Sequence, residues 1–234
     1  MICPLKKFVF IHIPKTGGTS IEDALFTFPE VYHFLKDKNR NKPLINNAFF
    51  PLREAGLAET IKNNPNYFLF AFVRNPWDRF VSLYRHSSRV RLEARTNKRF
   101  KKKQRADLSF DEYVEIVISG IQDCCPLALK YFNDFDFFHT KFKQVQYLLE
   151  YSKTYLNSEW DLSFRKIDFI GRFETLEEDY RKLEKPLGLK LPPLGRRDWG
   201  SVTTPPYRNF YTPTTQELIA AFYKEDIEHF HYNY

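Results

Sequence analysis

The sequence predicts an α/β protein: a single domain with a central parallel β-sheet and helices on both faces. Three observations carry this. Short apolar runs at Phe8–Ile13, Tyr67–Val73 and Ile167–Gly171 are rich in β-branched and aromatic residues and are bounded by Pro, Gly or Asn, the pattern of buried strands. Segments with helical spacing and helix-start chemistry alternate with those runs, as they do in parallel sheets joined by helical crossovers. The 234-residue chain is 43% hydrophobic and 18% aromatic, which is enough large apolar surface for a sizeable core.

The elements follow in order. After the strand at Phe8–Ile13, Thr19–Phe28 places Ile21, Ala24, Leu25 and Phe28 at helical spacing. Residues 29–66 are polar and broken by Pro29, Pro43, Pro51 and Pro65, with a short helix expected near 52–63. Tyr67–Val73 is the second strand. Asn75-Pro76 then opens a helix, with Asn as N-cap, Pro at the first helical position and Asp78 in the first turn. That helix runs through Tyr84 toward a basic segment. Ser109-Phe110-Asp111-Glu112 is a capping box opening a helix to about Ser119. Residues 120–160 are aromatic-rich and give no clear assignment. Ile167–Gly171 is the third strand, followed by a helix over Glu174–Leu187 that Gly188 closes. Residues 189–211 read as loop. Thr212-Pro213 caps a last helix through Phe230.

Composition excludes several classes. The charge balance and apolar content rule out wholesale disorder, collagen and low complexity. Three cysteines (Cys3, Cys124, Cys125) without a CxxC pair make no disulfide framework and argue against a structural zinc. No run of 18 apolar residues is present, and Phe8–Ile13 ends in turn chemistry rather than in a cleavage site. The expectation is therefore a soluble, cytoplasmic protein. The net charge of +7 is concentrated: Arg85–Arg105 holds ten Lys/Arg against Glu93 alone, a net of +9, leaving the rest of the chain at −2. The domain is read as 1–234, with a basic, mobile insertion at about 85–107.

Two motifs carry chemistry. The first, Pro14-Lys15-Thr16-Gly17-Gly18-Thr19-Ser20, follows the first strand and opens a helix. Backbone N–H groups in such a turn converge on an anion, assisted by the helix's positive end. Gly17 and Gly18 permit the turn, Lys15 adds a full charge, and Thr16, Thr19 and Ser20 add hydroxyls. The bland alternative is an ordinary capped loop with an exposed lysine. A Walker A loop is excluded, because its lysine follows the glycines instead of preceding them, and no acidic strand end stands ready to hold a metal.

The second motif is Arg74-Asn75-Pro76-Trp77-Asp78-Arg79-Phe80-Val81-Ser82-Leu83-Tyr84. It puts Arg74 at a strand end and Ser82 about two helical turns on. The two side chains can converge on a phosphate outside the strand ends. Taken singly, Arg74 also reads as a surface ion pair and Ser82 as a solvated helix residue.

Together these motifs resemble the carbohydrate-type branch of the sulfotransferase superfamily, whose fold is similar to that of P-loop NTPases. Asp168-Phe169-Ile170-Gly171-Arg172-Phe173-Glu174 through Asp179 resembles a third segment of that branch, and Tyr211 through Phe230 resembles its C-terminal helix. The resemblance implies sulfuryl transfer from 3′-phosphoadenosine 5′-phosphosulfate (PAPS) to an acceptor hydroxyl, glycan favoured, without a metal, leaving adenosine 3′,5′-bisphosphate. It implies that Lys15 stabilises the leaving oxygen and that Gly17–Ser20, with Lys15 and Thr16, hold the 5′ end. Arg74 and Ser82 would hold the 3′-phosphate. Arg172 is assigned either to the nucleotide or to a structural ion pair.

The general base stays open. The branch resembled carries a His before the second strand, but Ile45–Glu54 here contains none. The candidates are His33, Glu22 and Glu30, with His12 read as structural. Arg85–Arg105 is either a solvated extension or a flank that recruits an anionic acceptor. Two other functions compete. One is a polyanion- or nucleic-acid-binding module built on residues 85–105, which the scarcity of aromatics there weakens; the other is a P-loop kinase.

Overall fold

The computed structural model describes residues 1–28, 63–96, 108–123, 139–140, 142–151, 162–164, 167–195 and 205–234. These residues fall into two compact units, Met1–Arg74 with Gln146–Ser201 and Asn75–Val145 with Val202–Tyr234.

The first unit is built on a four-stranded sheet of β1 (Ile2–Cys3), β2 (Phe8–Ile11), β3 (Phe68–Val73) and β6 (Phe169–Arg172). The order is β1-β2-β3-β6. The β2–β3 and β3–β6 pairs are parallel, as the sequence predicts. β1 is an antiparallel edge strand of two residues, too short to leave a sequence signal, and it makes the sheet mixed. A separate antiparallel pair joins β4 (Leu149–Tyr151), in the stretch without a clear assignment, to β5 (Leu162–Phe164) just beyond it.

Register explains the core. Phe10 is level with Phe70, and Phe70 with Phe169, so these rings line one face of the sheet. Phe10 and Phe70 stack at 5.0 Å between centroids. Phe72 is level with Gly171, where a Cβ would lie 2.3 Å from the Phe72 ring. The glycine is what lets that ring lie flat across the strand. Helix α1 (Gly18–Leu25) covers this face with Ile21, Ala24 and Leu25. Tyr180, Leu183 and Leu187 join them from α4 (Leu176–Lys182), α5 (Glu184–Leu187) and the residue between. Val9, Ile11, Leu69, Ala71 and Val73 alternate to the opposite face and are also buried.

The helix expected over Glu174–Leu187 is divided. A 3₁₀ turn spans Phe173–Thr175, and the helical ladder restarts at Leu183. Pro186 is the reason: it lacks the N–H that would bond the Lys182 carbonyl. Gly188 closes α5 in the left-handed conformation (φ 59°), with Leu189 N–H donating to the Glu184 carbonyl at 3.2 Å.

Asp179 secures the turn into α4. Its carboxylate accepts from Arg172 N–H at 2.8 Å, Thr175 Oγ1 at 2.9 Å and Lys182 Nζ at 2.7 Å. Burial alone would raise its pKa, but the hydrogen bonds from Lys182, Arg172 and Thr175 outweigh it and hold the carboxyl below its ordinary value. A depressed folded-state pKa stabilises the protein above the unfolded-state value and loses that effect as pH falls through the folded one. Asp179→Asn should therefore cost about 1–3 kcal/mol at pH 7, with the gap to wild type closing below about pH 4. Urea titrations at several pH values check this, and a gap that does not change between pH 7 and pH 3 would refute it.

The second unit is helical. Its α2 (Pro76–Thr96) begins as expected, with Asn75 Oδ1 accepting from Trp77 N–H at 3.1 Å, and it continues into the basic segment. The Ser109/Glu112 capping box opens α3 (Phe110–Asp123). Thr212 and Thr215 cap α6 (Pro213–Phe222), and α7 (Lys224–Phe230) follows a break at Tyr223. No Gly or Pro causes that break. Tyr223 Oη donates to the Thr140 carbonyl at 2.8 Å, and Asp226 accepts the N–H groups of Gln144 and Val145. These are tertiary demands that local sequence does not display. Trp77, Phe80, Tyr113, Val117, Ile219 and Tyr223 fill the core of this unit. Among the described residues no helix is long and apolar enough to cross a membrane.

Candidate functional site

The loop from β2 to α1 is the anion cradle that the sequence leads one to expect. Its turn is made by two left-handed residues, Lys15 (φ 70°) and Gly17 (φ 85°). Glycine adopts this conformation freely, whereas a lysine there is strained by about 1–2 kcal/mol. Two hydrogen bonds hold the strained turn: Thr16 Oγ1 donates to the Ile13 carbonyl at 2.8 Å, and Arg74 Nη1 donates to the Lys15 carbonyl at 3.2 Å. Helix α1 begins at Gly18, and no acidic residue lies in its first turn. Among the described residues, the backbone N–H groups of Gly17, Gly18 and Thr19 have no protein acceptor, while Ser20 N–H bonds the Gly17 carbonyl at 3.0 Å. Three unsatisfied donors at the positive end of a helix are suited to a phosphate-sized anion. Thr19 is exposed and Ser20 half-buried, whereas the Thr16 side chain is buried and spent on the loop itself.

Both glycines are demanded by their neighbours. A Cβ on Gly18 would lie 2.4 Å from the His12 ring, and one on Gly17 would lie 2.8 Å from Leu176. His12 is stacked on Phe10, with its Nδ1 3.0 Å from Glu22 Oε1 on α1. Glu22 is only 5% exposed. This pairing gives His12 and Glu22 a supporting place beneath the loop. Sequence reasoning reads His12 as structural but does not reveal its contact with Gly18.

Arg74 follows the last residue of β3. Its hydrogen bond to the Lys15 carbonyl joins two motifs 59 residues apart, which parallel pairing of Ile11 with Ala71 makes possible. Its guanidinium lies 3.9 Å over the centroid of Phe173. Phe173, Leu176 and Asp179 are contributions that residue chemistry alone did not single out, although all three lie in the third family-like segment. Arg172 ends β6, with its backbone N–H held by Asp179. Ser82 is half-buried on α2, in the second unit, and its role beside Arg74 rests on the sequence motif. His33, Glu30, residues 97–105 of the basic segment and the short helix expected near 52–63, apart from Asn63, lie outside the described residues.

Compared with known proteins, residues 1–233 match the family model described as Sulfotransferase family. No curated protein matches the chain, and no solved structure does.

Proposed function

Since the chain belongs to the sulfotransferase family, we propose that it transfers a sulfuryl group from PAPS to a hydroxyl-bearing acceptor, with a glycan favoured. The observation that supports this reading best is the bond from Arg74 to the Lys15 carbonyl. It brings the glycine loop and the strand-end cation together in the same unit, which supports a donor with phosphates at both its 5′ and 3′ positions.

In this reading the N–H groups of Gly17, Gly18 and Thr19, with Ser20, hold the 5′-phosphate. Arg74 holds the 3′-phosphate, with Ser82 as its partner on the strength of the RNPWDRFVS motif. Arg172 stands near the nucleotide or serves structure. The acceptor oxygen forms a bond to sulfur as the bridging S–O bond breaks, and the electron pair leaves on the 5′-phosphate oxygen. The acceptor's proton goes to a base, for which His33 and Glu30 stand as candidates. Lys15 supplies the charge that stabilises the leaving oxygen. Such a transfer depends on positioning and on electrostatic stabilisation. The basic segment 85–105 would recruit an anionic acceptor.

The test is transfer of labelled sulfate from PAPS into a panel of glycans, tyrosine peptides and lipids, alongside calorimetry with adenosine 3′,5′-bisphosphate and AMP. The expected result is label in one acceptor class and bisphosphate bound at least about tenfold more tightly than AMP. Equal affinity for the two nucleotides would overturn the 3′-phosphate assignment. Binding of nucleic acid that residues 85–105 mediate and the bisphosphate does not compete would favour the polyanion-binding module instead.

A further inference from the structure

Phe173 touches both groups to which the donor's phosphates are assigned. One face of its ring carries the Arg74 guanidinium, 3.9 Å from the centroid. Its Cδ2 edge borders Gly17, where an added Cβ would lie 3.3 Å away. Arg74 is in turn bonded to the Lys15 carbonyl. Loop, arginine and ring thus form a closed triangle, with Phe173 placed by the 3₁₀ turn that begins directly after β6. Asp179 fixes that turn from behind through Arg172 N–H and the Thr175 hydroxyl.

We infer that Phe173 is a positioning residue that sets the spacing between the two phosphate-binding groups, so that both engage one ligand at once. The inference rests on the donor assignment above. A guanidinium is flat, and stacking over an aromatic face holds it in one plane. An aliphatic side chain fills the same space beside Gly17 without imposing that plane. Loss of the ring should therefore leave each phosphate subsite working alone and weaken their simultaneous use. The energetic signature is a coupling between sites, which a uniform loss of packing does not produce.

The experiment is calorimetry on the full chain with adenosine 3′,5′-bisphosphate, adenosine 5′-monophosphate and adenosine 3′-monophosphate. Wild type, Phe173→Leu and Phe173→Tyr are compared, with thermal melts to establish folding. Phe173→Leu should weaken the bisphosphate about tenfold and each monophosphate less than about threefold, and Phe173→Tyr should stay within about twofold of wild type. If Phe173→Leu does not fold, Phe173→Met, which keeps volume without the flat face, is read in its place. An equal loss on all three ligands, or no loss on the bisphosphate, overturns the inference while leaving the donor assignment intact. A wild-type protein that binds the bisphosphate no better than the 5′-monophosphate overturns the donor assignment, and this inference with it.

Discussion

Lys15→Ala should lower the rate of sulfuryl transfer by about 10²–10³-fold while weakening adenosine 3′,5′-bisphosphate by less than about tenfold. The asymmetry follows from where charge develops. In the proposed reading, the 5′-phosphate is met already in the ground state by the backbone donors of Gly17, Gly18 and Thr19 and by the end of α1. In the transition state a further negative charge grows on the leaving oxygen, and only a group that answers that increment accelerates the step. Alanine is the informative replacement. Position 15 is left-handed (φ 70°), and alanine bears the same backbone strain as lysine, so the variant removes the ammonium without relaxing the turn. Single-turnover rates with labelled PAPS, set beside calorimetry, separate the two effects. A rate within about threefold of wild type, with the loss confined to affinity, would take Lys15 out of the chemical step.

Arg74→Ala should weaken the bisphosphate by about 10–100-fold while AMP changes by only a few-fold, because a charge-assisted pair to the 3′-phosphate contributes about 1.5–3 kcal/mol. Some loss on AMP is expected, since Arg74 also braces the Lys15 carbonyl at 3.2 Å. Arg74→Lys should recover only part of the loss. Lysine offers a point charge in place of a flat fork and cannot lie on Phe173 in the same way. Matching losses on the two nucleotides would show that Arg74 braces the loop and does not read the 3′-phosphate. The double variant Lys15→Ala with Arg74→Ala should leave no measurable bisphosphate binding.

The local structure that carries the candidate site was legible because its signals are local. A glycine pair after a buried strand, a lysine before it, and an Asn-Pro helix start each announce themselves within a few residues. The parallel pairs β2–β3 and β3–β6 followed from strands alternating with helices. What escaped the sequence is non-local. β1 is two residues paired with β2, and the antiparallel β4–β5 pair sets Leu149 opposite Phe164 across a stretch without periodicity. The break before α7 answers to Thr140, Gln144 and Val145, more than 80 residues away along the chain. Phe173 escaped for the same reason. In sequence it is one aromatic among 24 Phe, and only the turn after β6 puts its ring beneath Arg74 and beside Gly17. The mixed edge of the sheet and the restart at Leu183 are further departures, the second of which Pro186 could have signalled.

The left-handed lysine also bears on how this chain changes over generations. Drift under selection for the turn alone would move position 15 toward glycine, which releases its backbone strain. A lysine in that conformation is what a requirement on the side chain, and not on the turn, would place there. In any chain sharing this loop, a glycine or asparagine at the same position would indicate an anion binder that has exchanged chemistry for stability.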